Sequence, residues 1–397
     1  MRLKTLPAWL LLASAILACN ISGRLSTPIP PVLPTEPAAP AATLPAPPTV
    51  ATTETPSLLP AALYYEAKDG AGYLQIFRLA PDGVASSQVT SEPVDVGSYD
   101  VSPLDGQLAY ILNNALILMN ADGSARTVLV DGGPPSDAGY TAKTISSPRF
   151  SPDDSQLAYG MNGLNFYDLA AGTTTNVLTD QFSDAGGLTI LKEGYSPNEF
   201  SPDGSKLLVN VGYYEGGTLG IYDMTSGAFN QLSRPEGGML CCNSKWTSDS
   251  SAVYVASPVI GMVDPGMWRF NAADGAGTTL LPPQNADSTY NLADAPLVAP
   301  DGQLYFLFAN LPSIPTSHTP LMLVRSAPDG VTGRTIIYPD TFTSINEALW
   351  APDASKIILV ESGNPEVWTG GAATLYPIGG GKPVKLLPDA GNLRWGP

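Results

Sequence analysis

Histidine is nearly absent from this chain: His318 is the single one among 397 residues, and it sits in the proline-rich stretch "SIPTSHTP". A histidine-based triad would have to run through that residue, and no G-x-S-x-G nucleophile turn accompanies it. Basic residues are scarce too, 19 Lys and Arg against 36 Asp and Glu for a net charge of −17. A surface of that sign repels nucleic acid and anionic headgroups, so no nucleic-acid partner is expected. The three cysteines include no C-x-x-C spacing, which argues against redox catalysis. No stretch after residue 60 shows sustained helical periodicity with caps, so an α-solenoid is a poor reading.

What is present begins with a leader. Arg2 and Lys4 precede the apolar run Leu6 to Ala18, which is short for a permanent membrane span. Charge, short apolar core and small residues are the order of an export signal over residues 1–18. The run ends "ILAC", which resembles the bacterial lipobox, and that resemblance places a diacylglyceryl group on Cys19. Residues 19–60 then read as a tether: from Asn20 to Pro60 there are 11 prolines and only three charges. Such a segment stays extended and semi-rigid. Removal of the leader leaves 17 bases against 36 acids, a net of −19. Membrane attachment is therefore expected through the lipid and not through a basic patch, and the location is the extracytoplasmic cell envelope.

Residues 61–397 repeat. Seven segments end an inner phrase near a proline and an acid: "YDVSPLDG" (99–106), "RFSPDD" (149–154), "EFSPDG" (199–204), "KWTSDS" (245–250), "PLVAPDG" (296–302), "LWAPDA" (349–354) and the terminal "RWGP" (394–397). Hydrophobic strands such as "QLAYIL" and "KIILVE" follow the first six. A third strand leads into Asp-Gly-type turns, and a short fourth strand closes each unit. The period is about 46–52 residues. Four short antiparallel strands per radially repeated unit describe a β-propeller. The first unit, "ALYYEA", "LQIFRLA", "SSQVTS", has no inner phrase, and "NLRWGP" is left over at the other end. The expectation is an all-β, seven-bladed β-propeller whose C-terminal strand completes the first blade and hides its edge. These units resemble TolB-like, WD-repeat-like bacterial propellers. Leu104 is inserted in one phrase, and "WTSDSS" lacks the proline in another.

Candidate chemistry is thin. Asp153, Asp154, Asp203, Asp301 and Asp353 recur in the turns, but each turn offers one or two acids, too few for a calcium loop. Hydrogen bonding to their own turn backbone accounts for them better, and no metal or other cofactor is expected. A glycosidase needs two carboxylates about 5–10 Å apart in a cleft. Glu193, Glu199, Glu215, Glu347 and Glu366 are the candidates, but most acids of this kind are solvated. The expectation is a chain that is not an enzyme, with a carbohydrate-active propeller as the alternative. Cys241 and Cys242 are adjacent; a vicinal disulfide and reduced thiols both stay open. The residue before the hydrophobic position of each inner phrase reads Arg394, Asp100, Arg149, Glu199, Lys245, Leu297, Leu349. Signs alternate through five of these, which predicts a ladder of ion pairs between neighbouring blades.

Strand alternation sends the tight Ser-Pro-Asp and Asp-Gly turns to one face and the long connections to the other. Those are 131–147, 181–197, 234–243, 257–265, 283–295, 309–320 and 362–372. They carry Tyr140, Tyr195, Tyr213, Tyr214, Met262, Tyr290, His318 and Trp368, the residues expected to contact a protein or glycan partner. The function expected is a monomeric, lipid-anchored binding or scaffold module acting through that face.

Overall fold

A computed structural model describes residues 57–134, 143–241, 243–259, 263–313, 319–364 and 366–397. Of the residues singled out above, Cys19, Tyr140, Cys242, Met262 and His318 lie outside the described residues. Contacts divide the chain between Thr53 and Glu54, and the first unit is likewise outside.

Every regular element among the described residues is a β-strand, and every pairing is antiparallel. One unit illustrates the rest. Its inner strand, Ser146–Phe150, pairs with Gln156–Gly160, then with Gly163–Asp168 and Thr173–Thr179 in sheet order. The second strands are nearly continuous apolar runs: Leu108–Leu112 and Ala252–Ser257 are buried at every position. A strand covered on both faces has no polar side to show, which is why these read without alternation. The fourth strands are the reverse, and Thr173–Thr179 is largely exposed.

Four sheets have four strands each in chain order. A fifth gains an extra strand because Gln181–Ala185 and Leu188–Phe200 form a hairpin, where the sequence reading had a loop over 181–197. Ala185 pairs with Leu188 across Gly186 and Gly187, whose φ values are 67° and 88°. Two consecutive left-handed residues make the tight turn that matches strand twist, and Gly-Gly meets that demand. Likewise Tyr290–Val298 is already strand within the expected connection 283–295.

The remaining sheet has seven strands and joins the two ends of the described chain. Val384–Trp395 pairs through its first half with Gly371–Pro377 and through its second half with Leu63–Lys68. Leu63 faces Trp395 and Tyr64 faces Arg394. The leftover "NLRWGP" therefore lies beside the unit that lacked an inner strand.

Neighbouring units are tied by indoles. The Trp246 Nε1 donates to the Glu199 carbonyl at 3.1 Å, Trp350 Nε1 to the Ala295 carbonyl at 2.8 Å, and Trp395 Nε1 to the Trp350 carbonyl at 2.7 Å. The Tyr99 hydroxyl donates to the Asn392 carbonyl at 2.7 Å in the same manner. Each buried aromatic thus has a partner for its polar atom, the condition under which Trp and Tyr are stable in a core.

Candidate inner-strand cavity

Segments of all seven inner phrases line one cavity of about 680 Å³. Its mouth includes Pro103, Pro152, Pro202, Pro300 and Pro352, with Ser248 standing in the unit that lacks the proline. The turns behind those prolines are self-bonded. The Ser201 hydroxyl donates to Asp203 Oδ1 at 2.7 Å, Ser151 to Asp153 at 2.7 Å and Thr247 to Asp249 at 2.6 Å. These bonds, the Ser201 hydroxyl first, hold the Asp203 carboxyl down to about 2. Asp153, Asp203, Asp301 and Asp353 are engaged by their own turns, whereas Asp154 accepts from Ser102 of the neighbouring unit. Among the described residues no group of three or more His, Cys, Asp or Glu side chains converges as a metal site would require.

Deeper in, Asp100, Arg149, Glu199, Lys245 and Arg394 line the cavity. The expected ladder forms in part. Arg394 pairs with Asp100 at 3.6 Å, and Lys245 pairs with Glu199. Asp100 Oδ2 also accepts the Phe150 amide at 2.9 Å. Arg149 makes no ion pair among the described residues. Its Nε donates to the Asn198 carbonyl at 2.5 Å and one terminal nitrogen to the Pro148 carbonyl at 2.7 Å. Burial, and then the Arg394 charge nearby, lower its pKa to about 10.

Three carboxyls near these inner strands carry raised pKa values. Burial pushes Asp294 up to about 6, although Asn243 and the Ala295 amide both donate to it. Burial pushes Glu66 up to about 7, against the Asn392 side chain, which donates to it at 3.1 Å, and the Arg394 charge, with the Glu347 charge adding to the rise. Glu347 is raised by burial as well, and it accepts the Leu393 amide at 2.6 Å. The two glutamates come from the units on either side of the closing strand and reach it at adjacent residues. Of the expected glutamates, Glu347 is among these three and Glu199 lines the cavity itself. Glu66 and Asp294 were missed, although each interrupts an apolar stretch, "LYYEAK" and "NLADAPLV", and that interruption is the signal.

The residues expected on the long connections are dispersed. Tyr195 is buried in the strand Leu188–Phe200; its hydroxyl donates to Glu193 at 2.6 Å and its ring meets Phe229 edge-on. It is a core residue, not a surface contact, because the hairpin turned the expected loop into strand. Tyr213 is half-buried and accepts from Gln231 at 2.6 Å, and Tyr290 packs partly buried against a core cluster. Tyr214 and Trp368 are each 70% exposed. Both lie on connections between the second and third strands of a unit. Cys241 is disulfide-bonded, which removes the reduced-thiol alternative at that residue.

No family model matches this chain, and no curated protein matches it. Solved structures do. A puromycin-hydrolysing peptidase from Mycobacterium tuberculosis aligns with 84% of this chain at 13% identity and a TM-score of 0.54, and the chain spans about half of it, 52%. An oligogalacturonate lyase from Vibrio parahaemolyticus aligns over 82% of this chain and 84% of that one, at 12% identity and a TM-score of 0.51. TolB from Acinetobacter baumannii aligns over 84% of this chain and 66% of that one, at 14% identity and a TM-score of 0.41. TolB is thus among the solved structures that align with this chain. Likeness at such identities establishes the fold, a propeller-type arrangement of antiparallel sheets. It also corrects one expectation. The reading that the chain is not an enzyme rested on missing histidine and nucleophile motifs, yet structures of related fold include a lyase and a peptidase.

Proposed function

We propose that the chain is a lipid-anchored, extracytoplasmic binding module built as a closed seven-bladed propeller, and that it engages a protein partner through its long connections. The observation carrying this reading is that Tyr214 and Trp368, both 70% exposed, sit on second-to-third connections, which strand alternation directs to one side. Exposed Tyr and Trp offer large contact area at low entropy cost and dominate binding hot spots. The pairing of Val384–Trp395 with Leu63–Lys68 and the seven segments around one cavity support closure. A partner of basic surface fits a chain of net charge −17, and its binding weakens as salt rises. The test is capture from envelope membranes with the full chain, comparing Tyr214→Ala/Trp368→Ala with Asp203→Ala/Asp353→Ala. A protein lost with the first pair and retained with the second supports the reading. Retention by both, or recovery of glycan alone, overturns it. For the anchor, Cys19→Ala should release the chain from the detergent phase, and an unmodified Cys19 in mass spectra of the mature chain would end that part.

A second reading, acid–base chemistry on a carbohydrate, is favoured by Glu66 and Glu347. Both are half-buried and raised in pKa, and each accepts a hydrogen bond from the closing strand. A carboxyl raised to about 7 at Glu66 beside a second raised one at Glu347 suits general acid and base roles. Turnover of polygalacturonate or neutral glycans that disappears in Glu66→Gln would favour it. Turnover unchanged by that substitution, or no turnover at all, would remove it.

A further inference from the structure

We propose that the inner-strand cavity binds a small organic carboxylate with an apolar body, anchored on Arg149. The volume, about 680 Å³, falls within the range of small-molecule sites. Three cations, Arg149, Lys245 and Arg394, line it against two carboxylates, Asp100 and Glu199. Both carboxylates are already paired, with Arg394 and Lys245. Arg149 is the cation left over. The carbonyls of Asn198 and Pro148 orient its guanidinium and carry no formal charge, so its direct partners are neutral, while Asp100 and Glu199 act on it only through space and are each paired with another cation. Its second terminal nitrogen has no hydrogen-bond partner among the described residues. In a chain with 36 acids and 19 bases, a cationic excess at this spot is opposite to the overall composition.

The planar fork of a guanidinium matches a carboxylate through two parallel hydrogen bonds. The walls around it select what the carboxylate is attached to. Phe150, Phe200, Trp246, Trp350 and Trp395 line the cavity, and prolines line its mouth. Such walls add binding area for an apolar body and nothing for a bare inorganic anion. The site is separate from Tyr214 and Trp368, so it stands or falls independently of the protein-binding reading.

Phenylacetate is the probe, with phenylacetamide as its neutral counterpart and inorganic phosphate as the anion alone. Binding to the full chain is followed by calorimetry and by tryptophan fluorescence, since three indoles line the cavity. Phenylacetate is expected to bind with a Kd of about 1 mM or tighter, and the amide and phosphate at least ten-fold more weakly. Arg149→Met should weaken phenylacetate at least ten-fold, while Arg149→Lys keeps part of the affinity. Should Arg149 variants fail to fold, Ser248→Trp narrows the mouth from an exposed turn position. It should abolish the fluorescence response while melting with the parent. Absence of phenylacetate binding, equal binding of the amide or phosphate, or a Ser248→Trp variant that binds like the parent overturns the proposal.

Discussion

The turn side and the long-connection side are built on opposite rules. On the turn side one backbone demand recurs and several residue types meet it. The closing position of the Ser-Pro-Asp turn is left-handed at Gly204 and Gly302, with φ of 70° and 79°, and equally at Asp154, Ser250 and Ala354, with φ of 53°, 60° and 57°. A left-handed non-glycine residue costs about 1–2 kcal/mol, which the surrounding bonds offset. On the other side nothing recurs: one connection is a Gly-Gly hairpin with Tyr195 in the core, while two others hold Tyr214 and Trp368 in solvent. Uniformity was easy to mistake for blandness. The uniform turns border the cavity, and stability should concentrate on their side.

The harshest way to break that contrast is to remove residues 392–397. This deletes the strand paired with Leu63–Lys68, the Arg394–Asp100 pair and the Trp395 indole that caps the Trp350 carbonyl. Truncating a fully buried large aromatic costs about 3–5 kcal/mol; Trp395 is partly buried and contributes less, but the lost strand pairing adds to it, against a typical total stability of roughly 5–15 kcal/mol. The shortened chain should melt about 10 °C lower or aggregate outright. A melting temperature equal to the parent's would mean that six units suffice and that the last strand is an ornament.

Glu66 offers a titration of the same region. Its folded pKa, about 7, lies above the ordinary glutamate range, so the folded state holds a proton that the unfolded chain has released. Its contribution to stability is complete below about pH 4.5 and is lost as the pH rises through 7, on the order of 2–3 kcal/mol. Glu66→Gln keeps an acceptor for Asn392 and removes the charge that faces Glu347. Chemical denaturation of this variant should lose the decline between pH 4.5 and 8, ending more stable than the parent at pH 8 and equal to it at pH 4. Parallel curves for the two proteins would show that Glu66 is solvated and the inner side less dry than described.

A single turn gives a smaller effect. Ser201 is buried, donating to Asp203 and accepting the Lys206 amide at 3.0 Å. Ser201→Ala should cost about 1–2 kcal/mol by leaving that amide unsatisfied. The Asp203 carboxyl should rise from about 2 toward the ordinary range, because the hydroxyl is the first cause of its depression. Carbonyl-carbon NMR titration reads the second effect directly, and a carboxyl that stays low would transfer the role to Ser205 and Ser250.

The inner strands were legible because each carries its own label: an aromatic or apolar residue, followed in six of the seven by a turn of the Ser-Pro-Asp type or a variant of it. Tyr99–Val101, Ser146–Phe150, Asn243–Trp246 and Ile345–Trp350 all fall where those phrases put them. The ion-pair ladder was half legible. Alternating sign identifies which side chains are neighbours, but Arg149 turned to backbone carbonyls, and no spacing rule specifies that choice. The hairpin at 181–197 was misread because its acids, glycines and Lys192 look like a loop until Gly186–Gly187 is taken as a two-residue turn. Glu66 and Asp294 were passed over because Glu66 reads as part of the first unit's strand and Asp294 falls in the expected connection 283–295, which is strand from Tyr290 onward. A lone acid inside an apolar strand is costly to bury and therefore informative.

The gentlest test addresses the long connections themselves. Tyr214 and Trp368 are mostly solvated, so their replacement by alanine opens no cavity and removes little buried area. Surface changes of this kind stay within about 0.5 kcal/mol. The double variant should therefore melt with the parent, and any partner it loses will have been lost at the contact and not through unfolding. A ten-fold loss of binding, worth about 1.4 kcal/mol, beside an unmoved melting temperature is the signature expected of a recognition surface on a rigid support. A drop in stability of about 2 kcal/mol or more would instead show that these side chains brace the propeller. The two sides of the molecule would then share the structural burden that the contrast assigns to one.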